Sequence, residues 1–186
     1  MIFLISGKQG SGKSTLTNNL IGRLKATSFE PMSIKFADPL YEMHRRVLNV
    51  MAEYGIAVPV KDGKLLQLLG TEWGRAVHGD NVWVNLAKKR IETFMDGPSR
   101  ERRVAIIDDC RFKNELFGFP EAFKIRLLCD RDARKARADA WRDSETHQSE
   151  VDLDEVDQRH WDLVIDTAQN SATEVAELVL RASLKA

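Results

Sequence analysis

Apolar residues fill positions 2–5 without a break, and the chain then enters a glycine-rich loop at Gly7. Such a run fits a buried parallel strand. Further strands are predicted over 32–36, 104–107, 123–128 and 163–165. Between them the period lengthens. Leu16, Leu20 and Leu24 recur at i, i+4 and i+8, the spacing of a helix with one apolar face. Asp38-Pro39 reads as a helix N-cap with proline in the first turn, and Leu40, Met43, Val47 and Met51 keep the helical period. Helices are predicted over 64–78, 81–95 and about 131–142. Ser171-Ala172-Thr173-Glu174 is a capping box opening a last helix, with Val175, Leu178, Val179 and Ala182 expected inward. Gly55, Pro59 and Gly63 mark a loop over 54–63, and Gly97-Pro98 another over 96–103.

Strands alternate with helices and lack polar alternation. The pattern predicts an α/β fold of three layers, a parallel sheet covered on both faces, with right-handed connections. At 186 residues the chain is expected to be one domain.

Charge and cysteine content narrow the class. Lysine plus arginine equals aspartate plus glutamate at 28 each, whereas a nucleic-acid-binding domain usually carries a basic excess. Cys110 and Cys129 form no CxxC or Cys/His pattern and read as reduced thiols of a cytoplasmic protein. Positions 1–6 are too short for a signal-peptide core, and no stretch approaches the ~20 apolar residues of a membrane helix.

Chemistry enters with Gly7-Lys8-Gln9-Gly10-Ser11-Gly12-Lys13-Ser14, a complete G-x-x-x-x-G-K-[ST] between a predicted strand and a helix. Its backbone N–H groups are suited to close around phosphate oxygens, aided by the helix N-terminus. Gly10, Ser11, Gly12, Lys13, Ser14 and Thr15 are therefore the expected ATP cradle. Lys13 reaches the β- and γ-phosphates, and Ser14 ligates magnesium. Asp108, at the end of the 104–107 strand, has the place of the acid that holds the same Mg2+.

A phosphate acceptor is already an anionic nucleophile and needs no general base. Its kinase works by positioning and charge neutralisation. Taken as one α-helix, 64–78 puts Leu65, Leu69, Trp73 and Val77 on an apolar stripe. Lys64, Gln67, Thr71, Arg75 and His78 then share a polar wedge suited to a phosphate and a base or sugar. Arg131, Arg134, Lys135 and Arg142 form a basic stripe, capped by Asp130, that reads as a lid over the triphosphate. The alternatives are a solvated polar face and an exposed helix of i,i+4 charge pairs. Of four tryptophans, Trp83 is the one proposed to stack on a base, against packing in the core. His147 has no second ligand at metal-binding spacing.

These residues resemble, in order along most of the chain, the bacteriophage-type deoxynucleoside monophosphate kinases. The matching segments are Phe36-Ala37-Asp38-Pro39-Leu40, Leu66-Gln67-Leu68-Leu69-Gly70-Thr71-Glu72, 80–84 with Trp83, Asp109-Cys110-Arg111 with Glu115, His147-Gln148-Ser149-Glu150, and 162–167. The resemblance implies a P-loop kinase fold with a five-stranded parallel core, a helical acceptor-binding arm at about 38–95 and a lid at about 130–150. It implies Asp38, Gln67, Arg75, Asp109, Arg111 and Glu150 as acceptor-side residues, beside Trp83 proposed above. Lys13, Arg111 and Arg131 become the catalytic cations, with Arg131 and Arg134 on ATP. The implied partners are ATP and a deoxynucleoside monophosphate in the cytoplasm (a host's, if phage-encoded), with no nucleic acid or membrane, and with a homodimer left open. Asp108-Asp109-Cys110-Arg111 departs from the Asp-Arg-aromatic signature of cellular thymidylate kinases, so strict dTMP specificity is not expected. Two further readings stay open. One is a P-loop kinase of another small acceptor, such as dephospho-coenzyme A, with Asp38 or Asp109 as base. The other is a P-loop ATPase module without a small acceptor.

Overall fold

The computed structural model describes residues 1–137, 141 and 148–185. The strands are β1 (Ile2–Ser6), β2 (Glu30–Ile34), β3 (Arg103–Cys110), β4 (Phe123–Leu128) and β5 (Leu163–Asp166). They form one parallel sheet in the order β2-β3-β1-β4-β5. The helices are α1 (Lys13–Ala26), α2 (Asp38–Glu53), α3 (Gly63–Gln67), α4 (Ala76–His78), α5 (Val82–Met95), α6 (Lys113–Phe117), α7 (Arg131–Arg137), α8 (Gln148–Val151) and α9 (Ala172–Ser183).

Alternate residues of each strand serve opposite faces of the sheet. Phe3, Ile5, Val104, Ile106 and Ile125 pack with Leu16, Leu20 and Leu24 of α1 and with Val175 and Val179 of α9. Leu4, Ala105 and Ile107 pack with Trp83, Val84, Ala87 and Ile91 of α5 and with Leu116 of α6. Both faces are covered, which is why β1 and 104–107 of β3 show no polar alternation, while β4 carries Lys124 and Arg126 between buried Phe123, Ile125 and Leu127. No helix among the described residues is long and apolar enough to cross a membrane.

Four local expectations need correction. β2 runs from Glu30 to Ile34 instead of over 32–36, because the N–H groups of Phe36 and Ala37 go to the Asp109 carboxylate and leave the ladder. In α9 the buried residues are Val175, Ala176, Val179 and Ser183, which turns Leu178 outward. Val47 and Met51, which keep the apolar helical period of α2, are exposed rather than buried.

The fourth correction matters most for the site. Residues 64–78 are not one regular α-helix: Leu68–Arg75 is π-helical. The wider i→i+5 turn rotates the later residues of the segment away from their places in an α-helical projection. The buried face consists of Gly70 and Gly74, while Trp73 and Val77 of the expected apolar stripe are exposed. Glycine is required at 74, because a Cβ there would lie 2.3 Å from Cζ2 of Trp83. The indole Nε1 of Trp83 donates to the Gly70 carbonyl at 3.0 Å and locks the two segments together.

Candidate active site

The C-terminal ends of β1 and β3 lie side by side at the centre of the sheet, where α/β folds place ligands. From β1 the loop 7–12 turns back into α1. Gly10 and Gly12 have φ of +76° and +91°, conformations that L side chains rarely adopt. A Cβ on Gly10 would also meet the Arg134 carbonyl at 2.5 Å. Lys13 Nζ donates to the carbonyls of Gly7 at 2.6 Å and Lys8 at 2.9 Å. Burial, helped by the nearby Arg111 charge, lowers the Lys13 pKa to about 8. Ser11 Oγ is buried without a partner. Ser14 and Thr15 sit in the first turn of α1.

Asp108 is 4% exposed near the end of β3. Its Oδ2 accepts from Thr17 Oγ1 at 3.1 Å, its Oδ1 has no hydrogen-bond partner, and Lys35 Nζ stands 3.4 Å from Oδ1. That oxygen has the Lys35 ion pair but no hydrogen bond, and a hydrated divalent cation held together with Ser14 would fit there. Among the described residues no three His, Cys, Asp or Glu side chains group as a metal site. Nucleotide phosphates would have to complete the shell.

One side of the loop opens on a cavity of about 290 Å³ bordered by Gly12, Thr15, Arg137, Thr167 and Asn170. Arg137 donates to Thr167 Oγ1 at 3.1 Å and to the Thr167 carbonyl at 3.0 Å, and Thr167 Oγ1 donates in turn to the Ser11 carbonyl at 3.1 Å. Arg137, Thr167 and Asn170 were not singled out as donor-side residues from sequence, although Arg137 follows Arg134 by three positions. Arg134 itself is 5% exposed, donates to the Cys129 and Gln9 carbonyls at 3.2 Å each, and lies over Trp141. It is thus engaged with the backbone of the phosphate loop. Arg131 is exposed at the start of α7. Arg142 and His147 lie outside the described residues.

On the other side lies a cavity of about 360 Å³ between β2, β3, α2 and the π-helical turn. Arg75, Arg111 and Lys35 bring positive charge to it, and Phe36, Tyr41, Trp83 and Phe112 form its apolar walls. The Arg75 guanidinium lies 4.2 Å from the centre of the Phe112 ring, with Nη2 3.9 Å from Glu115 Oε1 and Nε buried without a partner. Glu115 Oε2 also accepts the N–H groups of Arg111 at 2.8 Å and Phe112 at 3.0 Å, so one carboxylate shapes the turn and faces Arg75. Burial raises its pKa to about 7. Asp109, expected on the acceptor side, borders this cavity and accepts Phe36 N–H at 2.9 Å and Ala37 N–H at 3.0 Å, and burial raises its pKa to about 6.

Two expected acceptor-side residues, Asp38 and Gln67, are absent from the cavity lining, and Trp83 is part of it. Asp38 accepts from Lys35 N–H at 3.0 Å and Arg90 Nη1 at 2.7 Å and is absent from the cavity lining. Gln67 is exposed at the end of α3 and also absent from it. Trp83 is 6% exposed and forms a fixed wall. Glu150 bridges the two halves: Oε2 accepts Gln9 N–H at 3.1 Å and Oε1 pairs with Arg111 Nη1. Lys35 was missed; its only signal in the sequence is a lysine at the end of an apolar run.

Comparison with known proteins places the fold. The chain is similar to the shikimate kinase of Acinetobacter baumannii in complex with shikimate, at a TM-score of 0.53 and 13% identity, over 99% of this chain and 92% of that one. It is similar also to the shikimate kinase of Aquifex aeolicus, at a TM-score of 0.52 and 14% identity, over 100% and 96%. At these identities the likeness establishes the α/β fold of P-loop kinases. No family model matches the chain, and no curated protein matches it.

Proposed function

We propose that this chain is an ATP-dependent phosphotransferase whose acceptor is the phosphate of a nucleoside monophosphate, in the first place a deoxynucleotide. The observation that carries the reading is the acceptor-side cavity. Arg75, Arg111 and Lys35 line it, while its two carboxylates, Asp109 and Glu115, are both bound to backbone N–H groups. Such a site neutralises and positions an anion. The backbone N–H groups held by both carboxylates weigh against either serving as the base an alcohol acceptor requires. At about 360 Å³ the space falls within the range of small-molecule sites.

Arg75 and Arg111 hold the acceptor phosphate. Lys13 and the loop amides hold the donor phosphates. The cavity at Thr167 and Asn170 takes the donor base. Ser14 and Asp108 would hold magnesium, which when bound neutralises charge on the transferring phosphates. The acceptor oxygen attacks the γ-phosphorus as the bond to the β–γ bridging oxygen breaks, and ADP leaves.

A second reading is transfer to the hydroxyl of a small anionic metabolite. Asp109, with its pKa raised to about 6 at the cavity edge, supports it, as does the likeness to shikimate kinases. ADP release measured across deoxy- and ribonucleoside monophosphates and small hydroxy acids tests the choice. Turnover with a nucleoside monophosphate supports the first reading, and turnover confined to hydroxy acids replaces it with the second.

A further inference from the structure

Glu150 lies between the phosphate loop and Arg111 of the acceptor cavity. Its carboxylate takes a hydrogen bond from the Gln9 N–H of the phosphate loop at 3.1 Å and pairs with Arg111, which borders the acceptor cavity. The side chain is 6% exposed. Lys13 lies within electrostatic reach of both Glu150 and Arg111. One carboxylate therefore satisfies a donor-side amide and an acceptor-side guanidinium, the two groups between which a phosphoryl group must pass. Carboxylate and phosphate oxygens present the same acceptor to these donors.

The segment carrying Glu150 is tied down independently of it. Asp152 accepts the Lys113 N–H at 2.7 Å. Asp154 pairs with Lys8 at 2.7 Å and with Arg126 at 3.0 Å. Leu153 is 4% exposed in the core beside the sheet. Release of the Glu150 carboxylate leaves these anchors in place.

We infer that Glu150 occupies the phosphoryl-transfer position while the acceptor site is empty and gives way to the incoming acceptor anion, so that it selects the acceptor over water. The inference rests on the phosphotransferase reading. The reaction it suppresses is hydrolysis. There a water oxygen bonds to the γ-phosphorus, the bond to the β–γ bridging oxygen breaks with its electron pair leaving on ADP, and the water proton passes to solvent. With the carboxylate between loop and Arg111, the γ-phosphoryl group meets a like charge and lacks the guanidinium that would stabilise its transfer. Acceptor phosphate draws Arg111 away from Glu150 and removes both obstacles.

If the carboxylate holds the position about nine-tenths of the time, a competing anion binds about tenfold more weakly than to the vacated site. The test uses the full chain and the isosteric variant Glu150→Gln. Inorganic phosphate is titrated calorimetrically into nucleotide-free protein, and ATP hydrolysis is followed without acceptor. The variant is expected to bind phosphate about tenfold more tightly and to hydrolyse ATP about tenfold faster than the wild type. Equal or weaker phosphate binding together with unchanged or slower hydrolysis overturns the inference and leaves Glu150 as a residue that orients Arg111. A measurement on the wild type needs no variant: saturating inorganic phosphate should move the amide resonance of Gln9, whose N–H now bonds to Glu150, and an unmoved resonance also overturns the inference. ATP titration separates this outcome from the broader one. A chain that binds no ATP loses the phosphotransferase reading itself, whereas an ATP-binding chain unmoved by Glu150→Gln loses only this inference.

Discussion

Gly74→Ala probes the joint between the fold and the acceptor cavity. An added Cβ would lie 2.3 Å from Trp83 Cζ2 and 2.6 Å from the Leu69 carbonyl oxygen. Either the indole edge or the π-helical turn has to move. Overpacking of this kind costs about 1–3 kcal/mol. Loss of the Trp83 Nε1 bond to the Gly70 carbonyl, now 3.0 Å, adds about 1 kcal/mol. Alanine returns about 1 kcal/mol through its better helix propensity. The net expectation is destabilisation by about 1–3 kcal/mol, or a thermal midpoint lower by roughly 3–10 °C for a chain of this length. Since Trp83 is also a wall of the cavity, KM for the acceptor should rise while ATP affinity holds. Gly22→Ala is the control: nothing lies within 4 Å of the Cβ it would add on α1, so it should be neutral or stabilising. The assays are urea and thermal denaturation, with the Trp83 indole N–H resonance as a local probe. An unchanged midpoint with an unmoved resonance refutes the packing argument.

Lys13→Ala should fold and lose phosphoryl transfer by a factor of about 10³ or more, and near-normal turnover would remove the loop from the catalytic account. Arg75→Ala and Arg111→Ala should each lose about 30- to 1,000-fold in kcat/KM for the acceptor, with ATP titrations little changed. If ATP binding collapses instead, the residue belongs to the donor side. Asp109 and Glu115, with pKa values raised to about 6 and about 7, hold protons more tightly in the folded chain than in the unfolded one. The stability they contribute is complete below about pH 4 and is lost as pH rises through those values, so Glu115→Gln should flatten the fall in urea midpoint between pH 5 and 7. Identical slopes for variant and wild type contradict that coupling.

The phosphate loop is legible because a contiguous motif and the apolar run before it occupy one local strand–turn–helix. The sheet is legible because both of its faces are buried, which leaves unbroken apolar runs at β1 and in 104–107 of β3, whereas β4 alternates Phe123, Ile125 and Leu127 with Lys124 and Arg126. The acceptor arm is less so. Projecting 64–78 as a uniform α-helix makes Leu65, Leu69, Trp73 and Val77 look like a core stripe, whereas the π-helical turn buries Gly70 and Gly74 instead. The spacing of those two glycines was the available signal. Asp38 and Asp109 illustrate a different limit. A carboxylate that closes a backbone turn has the same sequence appearance as one that meets substrate, and only the partners Lys35 N–H, Phe36 N–H and Ala37 N–H tell them apart. Arg137 and Thr167 are separated by 30 positions, so their hydrogen bonds beside the donor cavity have no local signature.

The central claim concerns where the γ-phosphoryl group goes. Purified chain is incubated with magnesium and ATP labelled in its γ-phosphate, together with a panel of deoxynucleoside monophosphates, and the labelled products are separated and identified. The account predicts label in the β-phosphate of a deoxynucleoside diphosphate, formed in step with ADP and dependent on Arg75 and Arg111. Label found only as inorganic phosphate, or only on the hydroxyl of a non-nucleotide acceptor, contradicts it.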